Sequence, residues 1–282
     1  MDFGITIFFT EYSISPAELA RAAEDRGFES LWVAEHSHIP AGRQTPFPGG
    51  GDLPKMYYEV MDPFVTLSAA AAVTTRLKLA TGICLVPQRD LFQTAKSVAS
   101  LDQVSQGRFL FGVGGGWNRE EAANHGTTNF PGRWKLMRER IEAMKLIWAE
   151  DEASYHGEVV DFDAVHAWPK PVQKPHPPII VGGTFPLGAR RAVRYGDGWA
   201  PINPGRKVLA QQVQGFRELC AEADRGTLPV SIFAAPPKAS SLEANREAGV
   251  DRAIFMLPPA NREDVLPILD GYAELVAEFG AA

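Results

Sequence analysis

The chain has 282 residues, 45% of them hydrophobic and 22% charged, with a formal net charge of -6. That length suits one α/β barrel domain, and that apolar share is enough to bury a full core. The acidic balance, with no run of like charge, excludes a nucleic-acid surface, which needs clustered Lys and Arg.

The opening MDFGITIFF lacks the basic start and long apolar core of a signal peptide and reads as a first strand, Phe3 to Phe9. A helix follows from Pro16 to Gly27, with Ser15 as its N-cap and proline in its first turn. Leu31 to Ala34 is a short second strand, and the Pro- and Gly-rich stretch Ile39 to Tyr58 is a long loop. Asp62 caps a helix that begins at Pro63 and runs to Thr75. Leu77 to Val86 is the third strand, followed by a helix over Leu91 to Ser105. Arg108 to Val113 is the fourth, running into Gly112, Gly114, Gly115 and Gly116. After a further loop, a helix covers Trp134 to Ala149.

The alternation is then interrupted by Asp151 to Pro178, proline-rich and carrying the hairpin-like YHGEVVDFD. This reads as an insertion over one end of a barrel, within a single domain of residues 1–282. Strand five (Ile179 to Val181) and its helix (Pro186 to Tyr195) resume the pattern. Strand six (Gly198 to Pro201) is followed by a helix over Val208 to Ala223. Strands seven (Val230 to Ala234) and eight (Ala253 to Leu257) precede helices near Leu242 to Ala248 and Arg262 to Phe279. Eight strands alternating with eight helices predict a closed (β/α)8 TIM barrel, with a doubly wound open sheet as the competing topology. No segment reaches the ~20 apolar residues of a membrane span. Cys84 and Cys220 fall in no CxxC or other metal-spaced pattern, so a reduced, cytoplasmic protein is expected.

In such barrels the loops after each strand line the active face. Strand two ends in Glu35-His36-Ser37-His38, strand three contains Gly82-Ile83, strand four ends in GVGGGW and strand five in Gly182-Gly183-Thr184. The last cluster lies between a strand and a helix N-terminus, where bare N–H groups and the helix's partial positive charge suit a phosphate. A tight βα turn without a ligand explains the same glycine pair. The glycines of GVGGGW let a flat ring lie against backbone, while a turn of positive φ accounts for one or two of them. Glu35-His36-Ser37-His38 has three readings. Metal ligation needs further ligands, and strands five to eight end without histidine, so no metal is expected. A structural histidine bonded to backbone is the second. The third is acid–base work by His36, a side chain suited to proton exchange near neutrality. Nucleophilic hydrolysis has no support, since no G-x-S-x-G elbow occurs. Phe8, Trp32, Trp117 and Met256 are candidate apolar walls, beside the plain core role that such residues often have.

Four blocks in register resemble the bacterial luciferase-like superfamily of flavin- and deazaflavin-dependent oxidoreductases. They are ELARAAEDRGFESLWVAEH, RLKLATGICLVPQRD, SLDQVSQGRFLFGVGGGWNREE and PPIIVGGTFPLGARRAVRYGDGW. The resemblance spans nearly the whole chain. It implies a barrel with the cofactor ring across its C-terminal face and Glu35 and His36 flanking that ring. It also puts Gly82-Ile83 where the family often has a cis peptide buttressing the ring, Gly115 and Gly116 at the cofactor tail, and Gly182, Gly183 and Thr184 at its phosphate.

Within that superfamily the pattern is most similar to the branch using the deazaflavin coenzyme F420. The resemblance then implies hydride transfer between F420 and a small organic substrate, with His36 exchanging a proton and Glu35 orienting His36 or bonding the ring. An FMN-dependent monooxygenase is the rival reading, and a non-catalytic flavin- or deazaflavin-binding barrel a third. The chain departs from the sugar-phosphate dehydrogenases, where an acidic catalytic residue directly follows the glycine run; Trp117 stands here, which weighs against glucose-6-phosphate. The loop Ile39 to Tyr58 and the insertion are expected to shape the substrate pocket. A homodimer through helices near the second and third strands is also implied.

Overall fold

The computed structural model describes residues 1–281. In chain order its strands are β1 (Asp2–Ile7), β2 (Ser30–Val33), β3 (Lys78–Thr81), β4 (Cys84–Leu85), β5 (Phe109–Gly114), β6 (Ala153–His156), β7 (Asp161–Val165), β8 (Ile179–Gly182), β9 (Gly198–Ala200), β10 (Ser231–Phe233) and β11 (Arg252–Met256). Parallel pairing orders the main sheet β10-β11-β1-β2-β3-β5-β8-β9, with β4 beside β5. Parallel bridges from Trp199 to Val230 and from Ile202 to Phe233 join its two ends. The expected (β/α)8 barrel is therefore the observed one, and the open sheet is ruled out.

The helices are α1 (Pro16–Asp25), α2 (Met56–Glu59), α3 (Pro63–Ala71), α4 (Leu91–Val104), α5 (Arg119–Asn124), α6 (Arg133–Ala149), α7 (Leu187–Tyr195), α8 (Arg206–Glu222), α9 (Ala239–Glu247) and α10 (Arg262–Ala281). Their starts follow from side chains that satisfy the first free N–H groups. Ser15 accepts from the Glu18 N–H and bonds the Glu18 carboxylate, a reciprocal cap. Asp62 accepts from Phe64 and Val65, Asp90 from Gln93, and Asn118 from Glu121. Because barrel helices begin in the loops that follow strands, these caps stand at the same end of the molecule as the candidate site. No helix among the described residues is long and apolar enough to cross a membrane.

The main core lies between barrel and helices, and a second cluster of Trp32, Ala80, Leu110, Ile180, Ala200 and Ile254 fills the barrel interior. Trp32 is fully buried there, its indole N–H donating to Ser30 Oγ at 2.8 Å. It is core, not the site wall that its place in the sequence suggested. Gly112 belongs to the same packing problem: a Cβ on it would lie 1.9 Å from the Thr81 carbonyl oxygen. That oxygen is backbone and has nowhere to go. Gly112→Ala is expected to cost at least about 3 kcal/mol in urea unfolding, the upper range for overpacking.

Three local expectations need correction. The third strand does not run unbroken from Leu77 to Val86: it stops at Thr81, restarts at Cys84 and turns at Val86–Gln88. A short helix, α5, occupies what reads as loop after the glycine run, and α2 ends the long loop after β2. The insertion, expected to shape the substrate pocket, packs along α4 and α6. Its hairpin β6–β7 packs on α6, where Glu139 accepts from the N–H groups of Val159 and Val160. Its distal part is tied by Gln173 to Asp102 and to the carbonyl of Phe109, at the start of β5. The hairpin runs back along α6, so that Glu158 near its tip pairs with Lys135 in the first turn of that helix, next to Trp134.

Candidate functional site

A cavity with about 1200 Å³ of open space lies at the C-terminal ends of the strands. Glu35, His36, Gly82 and Ile83 line it, together with Gly115, Gly116, Gly182, Gly183 and Thr184. Every residue singled out in the sequence as a cofactor contact thus meets in one space. Phe8, Trp117 and Met256 also line it, as expected, whereas Trp32 and residues 151–178 do not. A smaller opening of about 750 Å³ shares Glu35 and His36 but is otherwise walled by side chains such as Asp62, Arg89 and His125. The larger space is the one with exposed backbone, so it is the one shaped for a flat ligand.

The break in the third strand makes the floor. The Gly82–Ile83 peptide is cis. The Ile83 side chain then sits in a notch cut by glycine on two neighbouring strands. A Cβ on Gly114 would meet Ile83 Cδ1 at 1.7 Å, and one on Gly182 would meet Ile83 Cγ2 at 3.1 Å. Gly114 is therefore needed for Ile83, as Gly112 is for Thr81, and Gly114, Gly115 and Gly116 of the run line the cavity. Gly116 has φ +70°, and a Cβ on Gly115 would strike the Trp134 ring at 2.6 Å. Next to it, the carbonyl of Gly183 is tied back by the Trp199 indole N–H at 2.8 Å, and the carbonyl of Thr184 by the Gly188 N–H at 2.7 Å.

The expected partnership of Glu35 with His36 is not what forms. Glu35 accepts from Arg89 Nε at 2.5 Å and from the Leu85 N–H at 2.6 Å, and Arg89 in turn bridges to Asp62 at 2.6 Å. Both acidic neighbours help keep the Arg89 guanidinium firmly charged, raising its pKa despite the opposing effect of burial. The orienter of His36 is Glu121, whose Oε2 lies 2.9 Å from His36 Nδ1. Both groups are withdrawn from solvent, with side-chain exposures of 6% for His36 and 0% for Glu121. Accepting from Nδ1–H, this carboxylate fixes the ring orientation and leaves Nε2 as the nitrogen available for proton exchange. Burial pushes the nearby Cys84 thiol well up, so it stays protonated and takes no part as a nucleophile.

Glu121 was legible in principle. It stands three residues after Asn118, at the end of the WNREE segment, and Asn118 accepts from its N–H to cap α5. Recognising that short helix would have turned the Glu121 side chain inward. Trp134 and a group of arginines had no comparable signal. Arg191 stacks on the Trp134 ring at 3.6 Å and Arg133 at 4.4 Å, while Arg119 and Arg133 both lie over Phe130. None of Arg119, Arg133 and Arg191 makes an ion pair among the described residues. Burial, then the repulsion of Arg191 and Arg119, lowers the Arg133 pKa. Three unmatched guanidinium groups on an acidic protein are a place for an anion.

These features fit a flat, phosphate-bearing cofactor. A notched floor and bare backbone accept a ring, a tied-back glycine turn precedes a helix, and the free arginines lie beyond Trp134. Two buried amide donors, Gln88 Nε2 beside Gly116 and Asn118 Nδ2, also lack protein partners.

Comparison with known proteins gives the family and the fold. A family model described as luciferase-like monooxygenase matches residues 1–267. An uncharacterized protein of Mycobacterium tuberculosis is 40% identical over 284 residues, covering 98% of this chain and 99% of that relative. An FMNH2-dependent dimethylsulfone monooxygenase of Pseudomonas putida is 32% identical over 160 residues, 56% of this chain and 44% of its own. The solved structure of a coenzyme F420-dependent tetrahydromethanopterin reductase from Methanopyrus kandleri superposes with a TM-score of 0.77 at 17% identity, over 99% of both chains.

Proposed function

The chain belongs to the luciferase-like monooxygenase family, and on that premise we propose that it is an F420-dependent oxidoreductase acting on a small organic substrate. The arginine group carries the choice of F420 over FMN. FMN ends in a single phosphate, which the Gly182-Gly183-Thr184 turn can meet alone. F420 continues past its phosphate into a chain of carboxylates, and Arg119, Arg133 and Arg191 stand without ion pairs around Phe130 and Trp134, the latter in the same cavity as that turn.

When bound, the deazaflavin supplies the hydride chemistry. The residues of this chain supply position and a proton. Gly82-Ile83, Gly115 and Gly116 hold the ring flat, and the Glu35–Arg89–Asp62 chain braces that end of the floor. His36, held by Glu121, gives a proton to substrate oxygen from Nε2 as hydride reaches carbon, or takes it in the reverse direction. Tyr57, kept neutral by burial, lines the same space beside His36. A homodimer is part of this reading: α3 and the residue after it present Val65, Ser68, Ala69 and Ala72 to solvent at helical spacing, a face of small residues suited to a second copy.

The reaction class is tested by isotope label. With F420 deuterated at its hydride-carrying carbon and a substrate found by cofactor-oxidation screening, deuterium is expected on product carbon and no label from ¹⁸O₂ in the product. Incorporation of ¹⁸O with FMN as the required cofactor would make the protein a monooxygenase and overturn the proposal.

A further inference from the structure

The cavity has a second end, and its chemistry points to the substrate. His36 is edged there by Tyr57 at 5.4 Å and Trp117 at 5.8 Å between ring centroids, and Tyr57 packs on Phe8 at 4.8 Å. Phe47, from the loop after β2, does not line the cavity but wedges behind both walls, 5.2 Å from Tyr57 and 5.8 Å from Trp117. Ile202, Phe233 and Met256 complete the mouth, with Ile202 at 72% and Met256 at 43% exposure. These are large apolar groups left open at a cavity, which a ligand would cover.

The ionisable lining is equally informative. Only Glu35, His36 and Tyr57 among the lining residues can titrate, and each is already committed. Glu35 is bound by Arg89, His36 by Glu121, and Tyr57 is held neutral by burial. Arg43 lies 5.5 Å from the Trp117 ring centroid, but it is not a lining residue and donates to the Thr45 carbonyl. Along the lining itself a charged substrate would lose its water and find no free charged partner.

The loop carrying Phe47 is latched. Glu120, two residues beyond Asn118, accepts from the N–H groups of Gln44 and Thr45 at 3.1 and 3.2 Å and from Thr45 Oγ1 at 2.6 Å. Those bonds, the Thr45 hydroxyl first, hold the Glu120 carboxyl below the usual carboxylate range, so the latch persists through neutral pH. Thus α5 fixes both sides of the chamber: Glu121 sets His36 and Glu120 sets the loop bearing Phe47.

We propose that this chamber takes an uncharged substrate with an apolar body and one carbonyl or hydroxyl oxygen directed at His36, and that Phe47 determines that specificity by holding the Tyr57 and Trp117 rings edge to face, 79° apart, beside it. The inference rests on the redox reading for the use of the chamber, but binding tests it separately.

The probes are acetophenone and 4-acetylbenzoate, which differ by one carboxylate, titrated by ligand-observed NMR against F420-loaded, FMN-loaded and cofactor-free protein. Acetophenone is expected to bind at least about tenfold more tightly than 4-acetylbenzoate in every loaded form. Phe47→Ala is expected to weaken acetophenone about tenfold and Phe47→Leu less, with F420 affinity unchanged in both. Equal or tighter binding of 4-acetylbenzoate, or no saturable binding of either ketone, would overturn the proposal. So would retention of wild-type acetophenone affinity in both Phe47 variants with the fold intact by circular dichroism. Failure of F420 alone to bind would strike the cofactor reading and leave the ketone comparison standing on the FMN-loaded protein.

Discussion

His36→Asn is expected to lower the rate of F420-dependent turnover by about 10²- to 10⁴-fold, the range for losing a positioned acid–base group. F420 affinity should stay within about threefold of wild type, because ring and tail are held by other residues. The loss should fall on kcat and kcat/KM together, as for an interaction made in the transition state. Glu121→Gln is the companion measurement. It keeps the shape and a hydrogen-bond partner at Nδ1 but removes the charge and the preference for one tautomer. A smaller loss, about tenfold, is expected, with a displaced pH–rate profile that a purely structural role would not produce. Both are read from cofactor absorbance in steady state across pH. If His36→Asn turned over at the wild-type rate, the proton would come from elsewhere.

The second large effect is on binding. Arg191→Gln is expected to weaken F420 by about tenfold or more, and Arg191→Gln combined with Arg133→Gln by about a hundredfold or more, from the worth of charge-assisted hydrogen bonds. Arg133 also donates to the carbonyls of Gly116 and Phe130, so its replacement disturbs the turn as well as the charge. Arg191 has no such second duty and is the cleaner probe. The control is the deazaflavin chromophore without phosphate or glutamates, whose affinity should be indifferent to Arg191→Gln. The wild-type affinity for F420 should fall with added salt, and that slope should flatten in the double variant.

Much of this was visible in the residues. The alternation of strands and helices, the capping residues Ser15 and Asp62, and the clustering of Glu35, His36 and three glycine sets at strand ends all survive in the structure. What was misread had a common cause: side-chain direction in short segments. Gly112 looks like a ligand contact within GVGGGW, yet it is demanded by the carbonyl oxygen of Thr81 on a neighbouring strand. Trp32 sits in an apolar strand beside Glu35, and only the pleat decides that it points into the barrel. Glu35 adjoins His36 in sequence and for that reason faces away from it, toward Arg89. Glu121 reaches His36 across 85 positions. The arginines come from α5, α6 and α7 and meet only because those helices flank one cavity.

The insertion is a different case. A segment between a barrel helix and the next strand starts at the N-terminal end, but its residues carry no signal that the hairpin runs back along α6 to pair Glu158 with Lys135. Its residues do not line the cavity.

The most direct test of the account is an equilibrium titration of the purified protein with F420 and, separately, with FMN, followed by tryptophan quenching and by the cofactor's own fluorescence. Trp117 and Trp134 both line the cavity, so occupancy reports itself. The account predicts saturable F420 binding at least about a hundredfold tighter than FMN, weakened by salt and by Arg191→Gln. FMN binding as tightly as F420, with neither affected by Arg191→Gln, would contradict it.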